Sequence, residues 1–179
     1  MRKDSECWVY FDFSKDCDNE CTVAAIIMDK KTALAPKYKR VKSIDIDRGD
    51  NQFSIAIKAL NNAIELYLEV GLTSKVNLQH QNKVVMDWLS RGYANFNYDD
   101  IFSEMYENFK RMYINSGKEV YIGHIGAKQN LAKKYCKVEH INKPKQEQPL
   151  NKIIIIDEEL EETEYITEKK VINLSDYKL

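Results

Sequence analysis

Glycine and proline are scarce, at 6 and 3 of 179 residues, while 44% of the chain is apolar and 31% charged. That balance describes one ordinary domain with enough apolar residues for a real core. No apolar run approaches the roughly 18 residues needed to cross a bilayer. Met1-Arg2-Lys3-Asp4 leads into no signal-peptide core, so neither a membrane protein nor a secreted precursor is expected. An excess of positive charge is also missing, because the net charge is -1. This removes the simple electrostatic argument for a nucleic-acid binder and leaves only local patches. Cys7, Cys17, Cys21 and Cys136 are too few for a disulfide scaffold in a chain of this length. They are expected to be reduced, in a cytoplasmic protein. Cys17 and Cys21 are spaced like zinc ligands, as are Cys136 and His140, but small buried hydrophobes and loop thiols account for them more simply.

What the chain does have is uneven charge. Nine acidic and five basic residues fall between Pro144 and Leu179, which leaves the preceding part at +3. The run from Asn142 to Pro149 is polar and holds two of the three prolines. This is linker chemistry and divides the chain into a domain over 1–141, a linker over 142–149 and a tail over 150–179. No internal repeat is seen.

Within the first part, strand-like and helix-like patterns alternate. Trp8 to Phe13 and Thr22 to Met28 are short and rich in β-formers, and Val41 to Asp47 alternates with period two like a half-exposed edge strand. From Asn51 to Val70, apolar residues recur at three and four, which predicts an amphipathic helix stopped by Gly71. Lys75 to His80 reads as a strand, Asn82 to Ser90 and Asp99 to Asn115 as helices, Glu119 to Ile122 as a strand and Ala127 to Lys137 as a closing helix. The order βββαβααβα predicts an α/β fold, a mixed five-stranded sheet flanked by helices with a C-terminal extension.

That order resembles ribonuclease H over about 130 positions, and specific residues carry the resemblance. Asp12 ends the first strand, and Asp50-Asn51-Gln52-Phe53-Ser54 resembles the polar lead into the first helix. Val76 to Leu89 resembles the fourth strand and the helix ending in tryptophan, here Trp88, followed by the Arg91-Gly92-Tyr93 turn. Gly123-His124-Ile125-Gly126, with Asn130 six residues past the His, resembles the family's Gly-His-x-Gly loop.

The resemblance implies hydrolysis of the RNA strand of an RNA–DNA hybrid by two magnesium ions, and a clamp about 4 Å wide needs a cluster of carboxylates. Of the four positions the family uses, this chain has Asp12, Ser54, Gln81 and Lys134. Two neutral side chains and an ammonium replace three anions, which predicts a pseudo-enzyme with no resident cofactor; Mg²⁺ enters only if a rearranged site exists. Asp16, Asp18, Asp45, Asp47 and Asp50 are the carboxylates near enough in sequence to compensate, and turns explain them better. Lys134 is expected to pair with Asp12 and take over part of the missing metal's role. His124, with no metal to work beside, is expected to be structural.

Binding is less legible than chemistry. The segment from Trp88 to Tyr113, where hybrid-binding relatives are basic, sets Arg91, Lys110 and Arg111 against Asp99, Asp100, Glu104 and Glu107. Its Phe102, Tyr106 and Phe109 recur at helical spacing and are expected to pack rather than stack on bases. Candidate phosphate contacts are Arg91, Lys128, Lys133 and Lys137, against which stands a plain solvated helix face. In the tail, the apolar run containing Ile154 and Ile156 must find a cover, and six acids lie between Asp157 and Glu164. Ile154, Ile156, Glu158, Glu159 and Tyr165 are the candidate partner-binding residues.

Three functional classes follow. The favoured one is a non-catalytic ribonuclease H-like module acting on nucleic acid or on a nucleic-acid-handling protein, with the tail as interaction element. The alternatives are a metal-dependent nuclease with a rearranged metal site, and a structural subunit that forms homo-oligomers. A protein partner, such as a nucleic-acid-processing complex, is expected, and a membrane is not.

Overall fold

The computed structural model describes residues 5–15 and 20–137 and, beyond them, the strand backbone of 152–155 and 171–173. Three antiparallel strands lead: β1 (Glu6–Lys15), β2 (Glu20–Met28) and β3 (Tyr38–Asp45). A long helix, α1 (Gln52–Glu69), then crosses over so that β4 (Lys75–His80) lies parallel to β1. Two more helices, α2 (Lys83–Arg91) and α3 (Asp99–Asn115), precede β5 (Val120–His124), which lies parallel to β4. The single turn α4 (Lys133–Cys136) follows, and β6 (Lys152–Ile155) and β7 (Val171–Asn173) complete the described elements. The sheet runs β5-β4-β1-β2-β3-β6-β7, so the expected mixed five-stranded sheet is present, and β6 adds antiparallel to the outer edge of β3 at Tyr38 and Lys39.

Local chemistry explains the boundaries. Asn51 caps α1 by accepting from the amides of Phe53 and Ser54, while Ser54 Oγ accepts from the Asn51 amide, a reciprocal box that satisfies otherwise orphaned donors. Gly71, at φ 65°, takes the left-handed position that ends the helix. Ala56, Ala59 and Ala63 are fully buried and let α1 lie close on β1 and β2, where Ile57, Leu60 and Ile64 fill the main core. Arg40 of β3 is 6% exposed and is held by Glu65 and Glu69 of α1. Phe102, Met105, Phe109 and Met112 bury one face of α3 on the same core, so the aromatic spacing there is packing, as expected. The opposite face of the sheet carries a smaller cluster of Tyr10, Ile26, Met28 and Ala132.

Most expected elements shift by one or two residues at an end, and two differ by more. β3 begins at Tyr38 rather than Val41, because Lys37 N–H already donates to Ile27 O, and it stops before the turn closed by the Asp50 amide on Asp47 O. The helix expected over Ala127 to Lys137 is only the turn Lys133–Cys136. Asn130 accounts for the difference: its side chain donates to Phe11 O at 2.8 Å and accepts from Ala132 N at 3.1 Å. Side-chain bonds of this kind compete with the helical ladder and hold the preceding residues in turns. The linker over 142–149 lies outside the described residues.

Candidate functional site

Because β1 and β4 are parallel neighbours, Asp12 near the end of β1 and Gln81 just past β4 come together. Asp12 is 3% exposed, a position where a bare carboxylate is costly. Its Oδ1 accepts from the Phe13 amide at 2.9 Å and from Gln81 Nε2 at 2.8 Å. Gln81 Oε1 accepts in turn from Asn130 Nδ2, and His124 Nε2 donates to the Gln81 carbonyl at 3.1 Å. Asp12, Gln81, Asn130 and His124 thus form one continuous polar chain. A second carboxylate at position 81 would face Asp12 and need a cation between them; the carboxamide supplies an N–H instead.

The expected Asp12–Lys134 pair does not form. Lys134 is exposed, and its Nζ lies 4.9 Å from the centre of the Tyr135 ring. With α4 reduced to one turn, Cys136 rather than Lys134 turns inward, and its thiol is pushed up to about 12 by burial and then by the nearby charge of Asp12. Ser54 is 5% exposed, and its hydroxyl donates to Asn51 O at 3.0 Å as part of the α1 cap.

His80 is a member of this site that the sequence reading passed over. It is 1% exposed and stacks on Phe11 with centroids 4.1 Å apart. Its Nδ1 accepts from the Asn82 amide at 3.0 Å, so the neutral ring carries its proton on Nε2, which faces Asp12 Oδ1 at 3.8 Å without a hydrogen bond. The signal was the period-two burial of β4, where Val76, Leu78 and His80 point the same way. Beside the site, a cleft of about 420 Å³ is lined by Phe13, Phe53, His80, Gln81, Asn82 and Lys83, among others.

The donor set does not fit the magnesium pair that the fold implies. Asp12 offers one carboxylate whose Oδ1 already accepts two N–H groups, and its neighbours are carboxamides. Hard divalent cations want several oxygen anions. Among the described residues no cluster of three His, Cys, Asp or Glu side chains is arranged to hold a metal. Asp45 and Asp47 are exposed, and Asp50 is engaged by Lys58. Burial disfavours the Asp50 carboxylate, but hydrogen bonds from Lys58 and the Asp47 backbone, with the Lys58 charge, outweigh it and hold its carboxyl below the usual range. Asp16, Asp18, Cys17 and His140 lie outside the described residues; of the cysteines with zinc-like spacing, Cys21 and Cys136 are both buried.

The expected phosphate contacts divide between two faces. Arg91 is exposed at the end of α2, on the α1 side, next to Tyr93 and Phe96, which are 61% and 88% exposed. Lys128, Lys133 and Lys137 are exposed along the segment that packs on the other face. Of the tail residues, Ile154 pairs with Lys39 through β6, while Ile156, Glu158, Glu159 and Tyr165 lie outside the described residues.

Comparison with known proteins adds the fold's identity. No protein-family model and no curated protein matches the chain. Solved structures do: ribonuclease H1 from the halophilic archaeon Halobacterium salinarum NRC-1 is 14% identical, with a TM-score of 0.56 over 71% of this chain and 90% of that one. The chain has the ribonuclease H fold. The N-terminal ribonuclease H domain of a Mycobacterium tuberculosis protein, solved as a fusion with maltose-binding protein, agrees with a TM-score of 0.54 at 13% identity, over 71% and 92% of the two chains. LC11 ribonuclease H1, isolated from compost and solved in complex with an RNA/DNA hybrid, gives 0.50 at 13% identity over 72% and 91%. In this ribonuclease H fold, Asp12, Gln81 and His124 occupy the end of the sheet where β1 and β4 run out.

Proposed function

We propose that this chain is a non-catalytic binding module of ribonuclease H fold that engages nucleic acid. The observation that carries the reading is the Asp12–Gln81–Asn130 chain, in which amide donors satisfy a buried carboxylate that a nuclease of this fold would leave to metal. Ser54 in the helix cap and Lys134 turned to solvent remove two further ligands. Nucleic acid is favoured as the partner by the exposed lysines of 128–137 and by the RNA/DNA hybrid bound to the LC11 enzyme of the same fold. The tail then serves as an accessory element whose strand β6 pairs in cis with the edge of β3 at Tyr38 and Lys39.

A fluorescence-anisotropy titration of the full chain with labelled RNA–DNA hybrid, duplex DNA and single-stranded oligonucleotides tests this reading. Binding is expected in EDTA and is not strengthened when Mg²⁺ replaces monovalent salt at matched ionic strength, because no contact runs through a metal and the cation only competes for phosphate. Absence of binding to every oligonucleotide at low salt, where phosphate contacts are strongest, would overturn it.

A further inference from the structure

Two segments about 90 positions apart in sequence meet on the face of the sheet away from α1. Ala33, from the loop between β2 and β3, and Ile125, Leu131 and Tyr135, from the segment after β5, all pack on the cluster of Tyr10, Ile26, Met28 and Ala132. The two segments meet at Tyr135, whose ring centre lies 4.9 Å from Lys39 Nζ of β3 and 4.9 Å from Lys134 Nζ. Between positions 29 and 39 there are four lysines and one acid, Asp29; between 125 and 137 there are four lysines and no acid. Lys30, Lys31, Lys37, Lys133 and Lys134 are exposed.

So dense a set of one sign costs self-repulsion unless it meets an anion. Several cations on the other face are instead paired within the fold: Arg40 and Lys42 with Glu65, Lys58 with Asp50, Lys110 with Glu107. The contrast is sharpest with α3, which opens on Asp99 and Asp100.

We infer that this lysine face, built jointly by the β2–β3 loop and the segment after β5, is the surface that takes the phosphate backbone of nucleic acid. It rests on the reading above and gives it a location, on a sheet face rather than at Asp12. The contacting groups are ammonium ions on flexible stems, so binding is sequence-independent and strongly salt-dependent. The loop and the segment after β5 each contribute, and neither alone makes the surface.

The test uses the full chain and a fluorescein-labelled RNA–DNA hybrid oligonucleotide, titrated at several salt concentrations. Three double variants are compared with the wild type: Lys30→Glu with Lys31→Glu, Lys133→Glu with Lys134→Glu, and, as a control of equal charge change on α3, Lys110→Glu with Arg111→Glu. Each of the first two is expected to weaken binding about tenfold or more and to lower the log–log salt slope by about two, while the control changes affinity less than about threefold. The lysine face is refuted if the control weakens binding as much as the other two, or if either lysine pair is without effect. In both cases a wild type that binds leaves the broader reading standing. A wild type that binds no oligonucleotide overturns the inference and the reading together.

Discussion

At the scale of single residues, the chemistry turns on position 81. Gln81 donates to Asp12 and accepts from Asn130, so both ends of its carboxamide are in use. Gln81→Glu would put two carboxylates against each other in a site where Asp12 is 3% exposed. It is expected to destabilise the fold by about 1–3 kcal/mol at neutral pH, with part of the loss recovered on acidification as one carboxyl takes up a proton. Denaturant melts at two pH values check this. Lys134→Met, by contrast, removes an exposed side chain from above a ring and is expected to change stability by less than about 0.5 kcal/mol. The sequence placed Asp12 beside positions 54, 81 and 134 but misassigned its partner, because charge alone favours an ammonium over an amide. Burial decides otherwise. The thiols report the same interior: burial, then the neighbouring Glu6 charge, pushes Cys7 up to about 12, and Cys136 is raised as far. Both are expected to resist alkylation in the native chain. Since their folded values lie above the unfolded thiol value of about 8.5, the stability linked to them is complete below that pH. It is lost as the pH rises toward about 12, which melts on a pH series above 8 will show.

At the scale of elements, the period of the apolar residues located most strands and helices within a few residues. Lys75 to His80 and Asp99 to Asn115 were legible to the residue, since strong periodicity there is bounded by clear turns. The segment from 127 to 137 was not, because a buried Asn130 organises it through bonds to Phe11, on a strand far away in sequence. The turn after α2 is a tighter case. Gly92, at φ 80°, caps the helix with its amide on Trp88 O, and an added Cβ would lie 2.7 Å from Tyr106 Oη. Gly92→Ala therefore combines left-handed strain with a clash and is expected to cost about 2 kcal/mol or more. Gly71→Ala has the strain but nothing within 4 Å of the new methyl, and is expected to cost about half as much. Thermal melts of the two variants side by side separate strain from overlap.

At the scale of the whole molecule, charge and fold are arranged separately. A net charge of -1 conceals a sheet face with eight lysines against one acid in its two segments, balanced by the acids of the tail and of α3. The lysines after β5 were visible in the sequence, but their union with Lys30, Lys31, Lys37 and Lys39 was not, because only the packing of Ala33 and Tyr135 on one cluster joins them. The fold was legible since strand order and motif order agreed; the neutral and basic residues at positions 54, 81 and 134 were legible too, though not the hydrogen-bonded chain that Gln81 and Asn130 form with Asp12. On this account the ribonuclease H fold is kept as a scaffold, with its old centre closed by amides and its binding carried elsewhere. Incubation of the full chain with a labelled RNA–DNA hybrid in Mg²⁺ and in Mn²⁺, at concentrations where the hybrid is bound, tests that account most directly. The RNA strand is expected to remain intact. Metal-dependent cleavage that disappears in Asp12→Asn would contradict it.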